Sequence, residues 1–229
     1  MSQWISIDAS GGGRYEALLA LPPRGRGPGL LLFQEIFGVN RHIRAVAEQY
    51  ALDGFVVLAP DVFWRQAPRI ELGYDGAERE RAMQLMQAAE PAGLAADIVT
   101  SVAALRARPE LDGRIGAFGY CMGGRLAYLA AASTGIDAAA CYYGGGIQNQ
   151  LDKAVSVRCP IQFHYGARDA HIPPTAVENV KAAFDGRDAE FNIYDADHGF
   201  NCWDRASYHA PSSALAHART LAHFARHLY

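Results

Sequence analysis

Short apolar runs alternate along the chain with stretches in which apolar residues recur every three or four positions. Residues 15–21 (YEALLAL) and 29–35 (GLLLFQE) read as strands joined by the turn-rich PPRGRGP. Ile43, Val46, Ala47, Tyr50 and Ala51 then fall at helical spacing. FVVLAPD (55–61) is an unbroken run of the kind found in strands buried on both faces of a parallel sheet. Leu94, Ile98, Val102 and Leu105 mark a helix entered just after Pro91. RIGAFGYC (114–121) is the next strand and leads into a small-residue helix; AAACYYGG (138–145), IQFHYG (161–166) and EFNIYD (190–195) are three more strands. Pro173 and Pro174 open a helix reaching about Phe184. A last helix follows Pro211, with Ala214, Ala218, Leu221, Ala225 and Leu228 as its expected inward stripe. This alternation predicts an α/β fold, a doubly wound, mostly parallel sheet with helices on both faces. No repeat, low-complexity tract or linker interrupts it, so a single domain over 1–229 is expected. Active sites in such sheets lie beyond the carboxyl ends of the strands.

Composition narrows the partners. Half of the 229 residues are hydrophobic, and 21 basic residues stand against 24 acidic ones, a net charge of −3. Such a balance offers nucleic acid or an anionic membrane no general attraction. No apolar run approaches the ~20 residues needed to span a bilayer, and the start, MSQWISIDASGGG, lacks the basic and apolar segments of a secretory signal. The cysteines Cys121, Cys141, Cys159 and Cys202 form no C-x-x-C pair. A reduced, cytoplasmic setting without cofactor is the expectation.

The chemistry concentrates in turns after strands. Gly119-Tyr120-Cys121-Met122-Gly123-Gly124 has the form of a nucleophile elbow, G-x-S-x-G, with cysteine in place of serine. Glycines are expected where strand and helix crowd the turn, at 119 and 123, because a Cβ there would clash. The turn sets the sulfur at a helix N-terminus, which favours thiolate, and aims the Met122 N–H at a developing oxyanion. An elbow of this kind belongs to the α/β-hydrolase fold, which takes its acid and then its histidine later in the chain. Asp169, after IQFHYG, and His198, after EFNIYD, satisfy that order. His198 would take the thiol proton, and Asp169 would orient the imidazole. Asp195 and Asp197 compete as acids but read better as turn residues. His164, inside a strand, and His171, in the loop after Asp169, read as structural. His217, His223 and His227 resemble metal ligands by spacing, yet a solvated helix face is the stronger reading, and no metal is expected.

Together with Gln34-Glu35-Ile36-Phe37-Gly38-Val39-Asn40, Arg65-Gln66-Ala67-Pro68 and Tyr142-Tyr143-Gly144, these segments resemble the dienelactone hydrolase (carboxymethylenebutenolidase) family over nearly the whole chain. The resemblance implies a Cys121–His198–Asp169 triad acting through an acyl-enzyme. It also implies Glu35 beside the thiol, and the N–H of Ile36 joining that of Met122 in the oxyanion hole. Members open small lactones bearing a carboxylate, gripped by two arginines. Arg79 falls at the first arginine position, although alternating charges around it also fit a solvated helix. At the second, four residues after His198, stands Cys202. The resemblance thus implies a less cationic pocket, near Phe37, Phe63, Tyr142 and Trp203, suited to neutral esters or lactones. Glu35 keeps two roles open: raising the thiol pKa by like-charge repulsion, or accepting its proton. Two other functions compete with ester or lactone hydrolysis: hydrolysis of activated phosphotriesters by the same residues, and non-catalytic ligand reception on a hydrolase scaffold.

Overall fold

A computed structural model describes residues 2–229, which pack as two compact units that divide between Ile115 and Gly116. The first unit holds strands β1 (Ser2–Asp8), β2 (Arg14–Ala20), β3 (Gly27–Phe33) and β4 (Val56–Pro60), in the order β1-β2-β4-β3. Pairing is antiparallel for β1–β2 and β2–β4 and parallel for β3–β4. Every residue of β4 is buried, so both of its faces are covered. Helix α1 (Arg41–Leu52) follows β3, and α2 (Gly76–Ala88) and α3 (Pro91–Arg106) follow β4. The α1 stripe is the expected one with His42 added, and the Asn40 side chain caps the helix by accepting the Ile43 N–H at 3.3 Å. The α3 stripe likewise buries Leu94, Ile98, Val102 and Leu105. It also takes in Asp97, whose carboxylate accepts the Trp64 indole N–H at 2.9 Å and two Arg65 N–H groups at 2.5 and 3.0 Å. A buried carboxylate is tolerable only with such compensation.

The chain passes into the second unit along β5 (Leu111–Tyr120). Then come α4 (Met122–Ser133), β6 (Ala138–Tyr142), short 3-10 turns at Ile147–Asn149 and Leu151–Ser156, β7 (Ile161–Gly166), α5 (Pro174–Ala183), β8 (Ala189–Tyr194) and α6 (Ala210–Leu228). The strands run parallel in the order β5-β6-β7-β8. Side-chain alternation shows helices on both faces. Tyr142 and His164 reach Thr220 of α6, whereas Phe163, on the opposite face of β7, packs its ring 5.0 Å from Phe184 at the end of α5.

Two expectations need correction. Strand β6 stops at Tyr142 instead of 145, because Tyr143 has φ 35° and Gly146 φ 91°, which turn the backbone out of the sheet. Helix α6 buries Ser212, Ser213, Ala216, Thr220, His223, Phe224 and Leu228, while Ala214, Ala218 and Ala225 face outward. Polar residues decide this face. Thr220 Oγ1 meets the Tyr142 hydroxyl at 2.7 Å and His164 Nε2 at 3.0 Å, so a polar side chain is satisfied inside and small alanines are left out. His223 accordingly is buried and hydrogen-bonded to the Ala139 backbone, not on a solvated face. Among the described residues no single helix is long and apolar enough to cross a membrane.

Candidate active site

Cys121 occupies the single-residue turn between β5 and α4, with φ 55° and ψ −116°. A non-glycine residue in this region costs about 1–3 kcal/mol and persists only where its surroundings hold it. They do so here through the backbone. The Cys121 N–H donates to the Tyr142 carbonyl at 3.0 Å, and the Cys121 carbonyl accepts from Gly124 and Arg125 at 3.0 and 3.3 Å. A tight approach falls at Gly124: a Cβ there would lie 2.5 Å from the Tyr142 oxygen and 3.1 Å from Gly144 Cα. Met122 opens α4, whose first N–H groups have no intrahelical acceptor. The Cys121 side chain remains partly exposed, while Cys141 and Cys202 are completely buried.

His198 is brought to this sulfur by the turn after β8. Its Nδ1 lies 2.7 Å from Asp169 Oδ2, which leaves Nε2 for the hydrogen bond it makes with Cys121. The Asp169 side chain is fully buried, and its other oxygen, Oδ1, accepts the backbone N–H groups of His171 and Ile172 at 2.8 and 3.1 Å. One carboxylate thus fastens its own loop and the imidazole together. Burial alone would keep His198 neutral, but hydrogen bonds and charge from Asp169 and Cys121 outweigh it and raise its pKa from 6.5 to about 10. The imidazolium is therefore the favoured form whenever the sulfur carries the negative charge.

The rival acids are occupied elsewhere. Asp195 is paired with Arg168, and Asp197 lies 3.8 Å from the same guanidinium; both carboxylates are largely exposed. His164 is buried between the Tyr194 hydroxyl at 2.9 Å and Thr220, and burial lowers its pKa to about 3, so it stays neutral. His171, by contrast, carries an exposed ring whose centroid is 5.0 Å from that of His198 at 80°, and Tyr143 lies on the same imidazole at 5.0 Å and 61°. Sequence reasoning read His171 as structural and gave Tyr143 no role of its own, since spacing does not reveal which loop side chains converge.

The remaining residues singled out in the sequence fall as follows. In the first unit Glu35, Ile36 and Phe37 lie buried just after β3, with the Phe37 ring edge-on to Tyr74 at 4.5 Å, and Arg79 is exposed on α2. In the second, Trp203 is 40% exposed and Cys202 wholly buried. Tyr142 is a correction: its ring is fully buried, stacked on His164 at 4.4 Å and hydrogen-bonded to Thr220, so it is committed to the core and presents no surface to a substrate.

Known proteins share this arrangement of the chain. The sequence profile of the dienelactone hydrolase family matches residues 15–228. A carboxymethylenebutenolidase of Pseudomonas sp. (strain P51) is 38% identical over 223 residues, covering 96% of this chain and 94% of the relative. One from Pseudomonas putida is 33% identical over 225 residues, 96% and 95% of the two chains. A crystal structure described as a candidate dienelactone hydrolase from Klebsiella pneumoniae superposes with a TM-score of 0.86 at 32% identity over 99% of both chains. The fold is the α/β-hydrolase fold.

Proposed function

The chain belongs to the dienelactone hydrolase family, hydrolases of ester and lactone bonds, and from that premise we propose that it cleaves small carboxylic esters or lactones by covalent catalysis at Cys121. The observation that carries the reading is the continuous path from the strained Cys121 turn to His198 and on, at 2.7 Å, to Asp169. In the first half-reaction His198 Nε2 takes the thiol proton as sulfur bonds to the acyl carbon. The carbonyl oxygen becomes an anion facing the Met122 N–H at the start of α4. Collapse breaks the C–O bond, and the His198 proton passes to the departing oxygen, which in a lactone stays tethered as the free hydroxyl or enol of the opened chain. In the second half-reaction His198 deprotonates water, which displaces the sulfur and releases the acid. Asp169 keeps the imidazole in the required tautomer throughout.

The substrate we infer is neutral. Cys202, at the position where the family places a carboxylate-gripping arginine, is buried and carries no cation. Loss of one charge-assisted contact removes about 1.5–3 kcal/mol of recognition for an anionic substrate, or roughly one to two decades in kcat/KM. The experiment is a panel of p-nitrophenyl esters, enol lactones with and without a carboxylate, and aryl phosphotriesters, run on wild type and Cys121→Ala. An acyl adduct on the Cys121 peptide and a preference for neutral esters or lactones support the reading. Undiminished turnover by Cys121→Ala overturns the nucleophile, and a strong preference for the carboxylated lactone or the phosphotriester overturns the substrate.

A further inference from the structure

Building on that triad, we propose that His171 is a positioning residue. With Tyr143 it forms an aromatic clamp that fixes the orientation of the His198 imidazole. A histidine hydrogen-bonded through both ring nitrogens is still free to tilt about the line joining its two partners. The two flanking rings oppose that tilt, each at 5.0 Å centroid separation and each edge-to-face, at 61° for Tyr143 and 80° for His171.

Both jaws are anchored through their backbones. Tyr143 is fully buried, its φ of 35° is set by the turn out of β6, and its N–H donates to the His164 carbonyl at 2.7 Å. The His171 backbone N–H donates to Asp169 Oδ1 at 2.8 Å, so its Cα is tied to the carboxylate that orients His198. The buried Ile172 makes a second such bond at 3.1 Å, and Pro173 and Pro174 limit the loop beyond it. The His171 ring itself is exposed, so it contributes little to the core and its placement answers to His198. The shape of the ring, more than its nitrogen atoms, is what the clamp requires.

The test compares His171→Ala, His171→Gln and His171→Phe with wild type and with Cys121→Ala, using a neutral p-nitrophenyl ester. Two quantities are read: steady-state kcat and KM, and the rate at which iodoacetamide alkylates Cys121 at pH 7. Loss of one aromatic contact should lower kcat roughly three- to tenfold with KM little changed. His171→Ala and His171→Gln should both show that loss together with slower alkylation, and His171→Phe should recover most of it. Wild-type kcat and alkylation in all three variants would overturn the clamp. So would recovery by Gln but not Phe, which would assign His171 a hydrogen bond, and a change in KM alone, which would assign it substrate contact. Activity retained by Cys121→Ala would instead remove the triad itself, a different failure that leaves a different pattern.

Discussion

His164 offers a direct test of how the buried polar cluster beneath α6 is linked to pH. Its imidazole is completely buried between Thr220 and the Tyr194 hydroxyl, and burial lowers its pKa from 6.5 to about 3. The folded chain therefore holds this ring neutral while the unfolded chain takes up a proton near pH 6.5. Stability from this residue is fully present above that pH and is lost as pH falls through the window from 6.5 to 3. At pH 4.5, two units below the unfolded pKa, the unfolded state gains roughly 3 kcal/mol, and the limit below pH 3 is roughly 5 kcal/mol. The assay is urea unfolding at 25 °C from pH 7 to 4.5 for wild type and His164→Gln, a replacement that keeps hydrogen-bonding groups but cannot titrate. His223, lowered to about 4 chiefly by its own burial, also titrates in this range in both proteins. Wild type should lose about 2–3 kcal/mol more than the variant. Parallel curves would show that His164 titrates normally in the folded protein and that the cluster is open to water.

Thr220→Val, which keeps shape but strands the Tyr142 hydroxyl and His164 Nε2, should cost about 2–5 kcal/mol in the same assay at pH 7, and Thr220→Ser should recover most of it. Asp169→Asn should lower kcat by roughly two to four decades, whereas Asp195→Asn and Asp197→Asn should stay within about threefold of wild type by steady-state kinetics. Gly124→Ala drives a Cβ to 2.5 Å from the Tyr142 oxygen and should slow Cys121 alkylation at least tenfold by mass spectrometry; Gly145→Ala, whose Cβ meets Ile172 only at 4.0 Å, should not.

Much of this molecule could be read before any coordinates, and the lapses share a cause. The α1 and α3 stripes were legible because their inward faces are chiefly apolar and the period is clear. The α6 face was misjudged because burial there follows hydrogen-bond partners on β6 and β7, which lie 78 and 56 residues away from Thr220 and leave no periodic trace. Strand β1 went unnoticed for the opposite reason: SQWISID is largely exposed and offers little apolar signal. The tight turn at Cys121 was plain from its glycines, although the crowding carbonyl proved to lie over Gly124, a contact set by how β6 ends. Asp169 was preferred to Asp195 and Asp197 because it follows a strand, while those two read as turn residues beside His198. In the fold Arg168 pairs with Asp195 and lies 3.8 Å from Asp197, while Asp169, its neighbour in sequence, meets His198 Nδ1 at 2.7 Å.

Tyr142 gives the carboxyl-terminal helix a stake in the reactive turn. Its carbonyl holds the Cys121 N–H, and its hydroxyl is held by Thr220 on α6. Shortening the chain from its carboxyl end is thus not a graded trimming of surface. Removal of the segment after Thr220 takes away Phe224, whose ring packs on Phe118 of β5, yet leaves the Thr220 anchor in the chain. Cutting before Thr220 frees the tyrosine itself, and with it the peptide that keeps the cysteine in its strained conformation. Libraries of truncated chains should accordingly show a step in Cys121 reactivity at this one residue, set apart from the steadier decline in melting temperature.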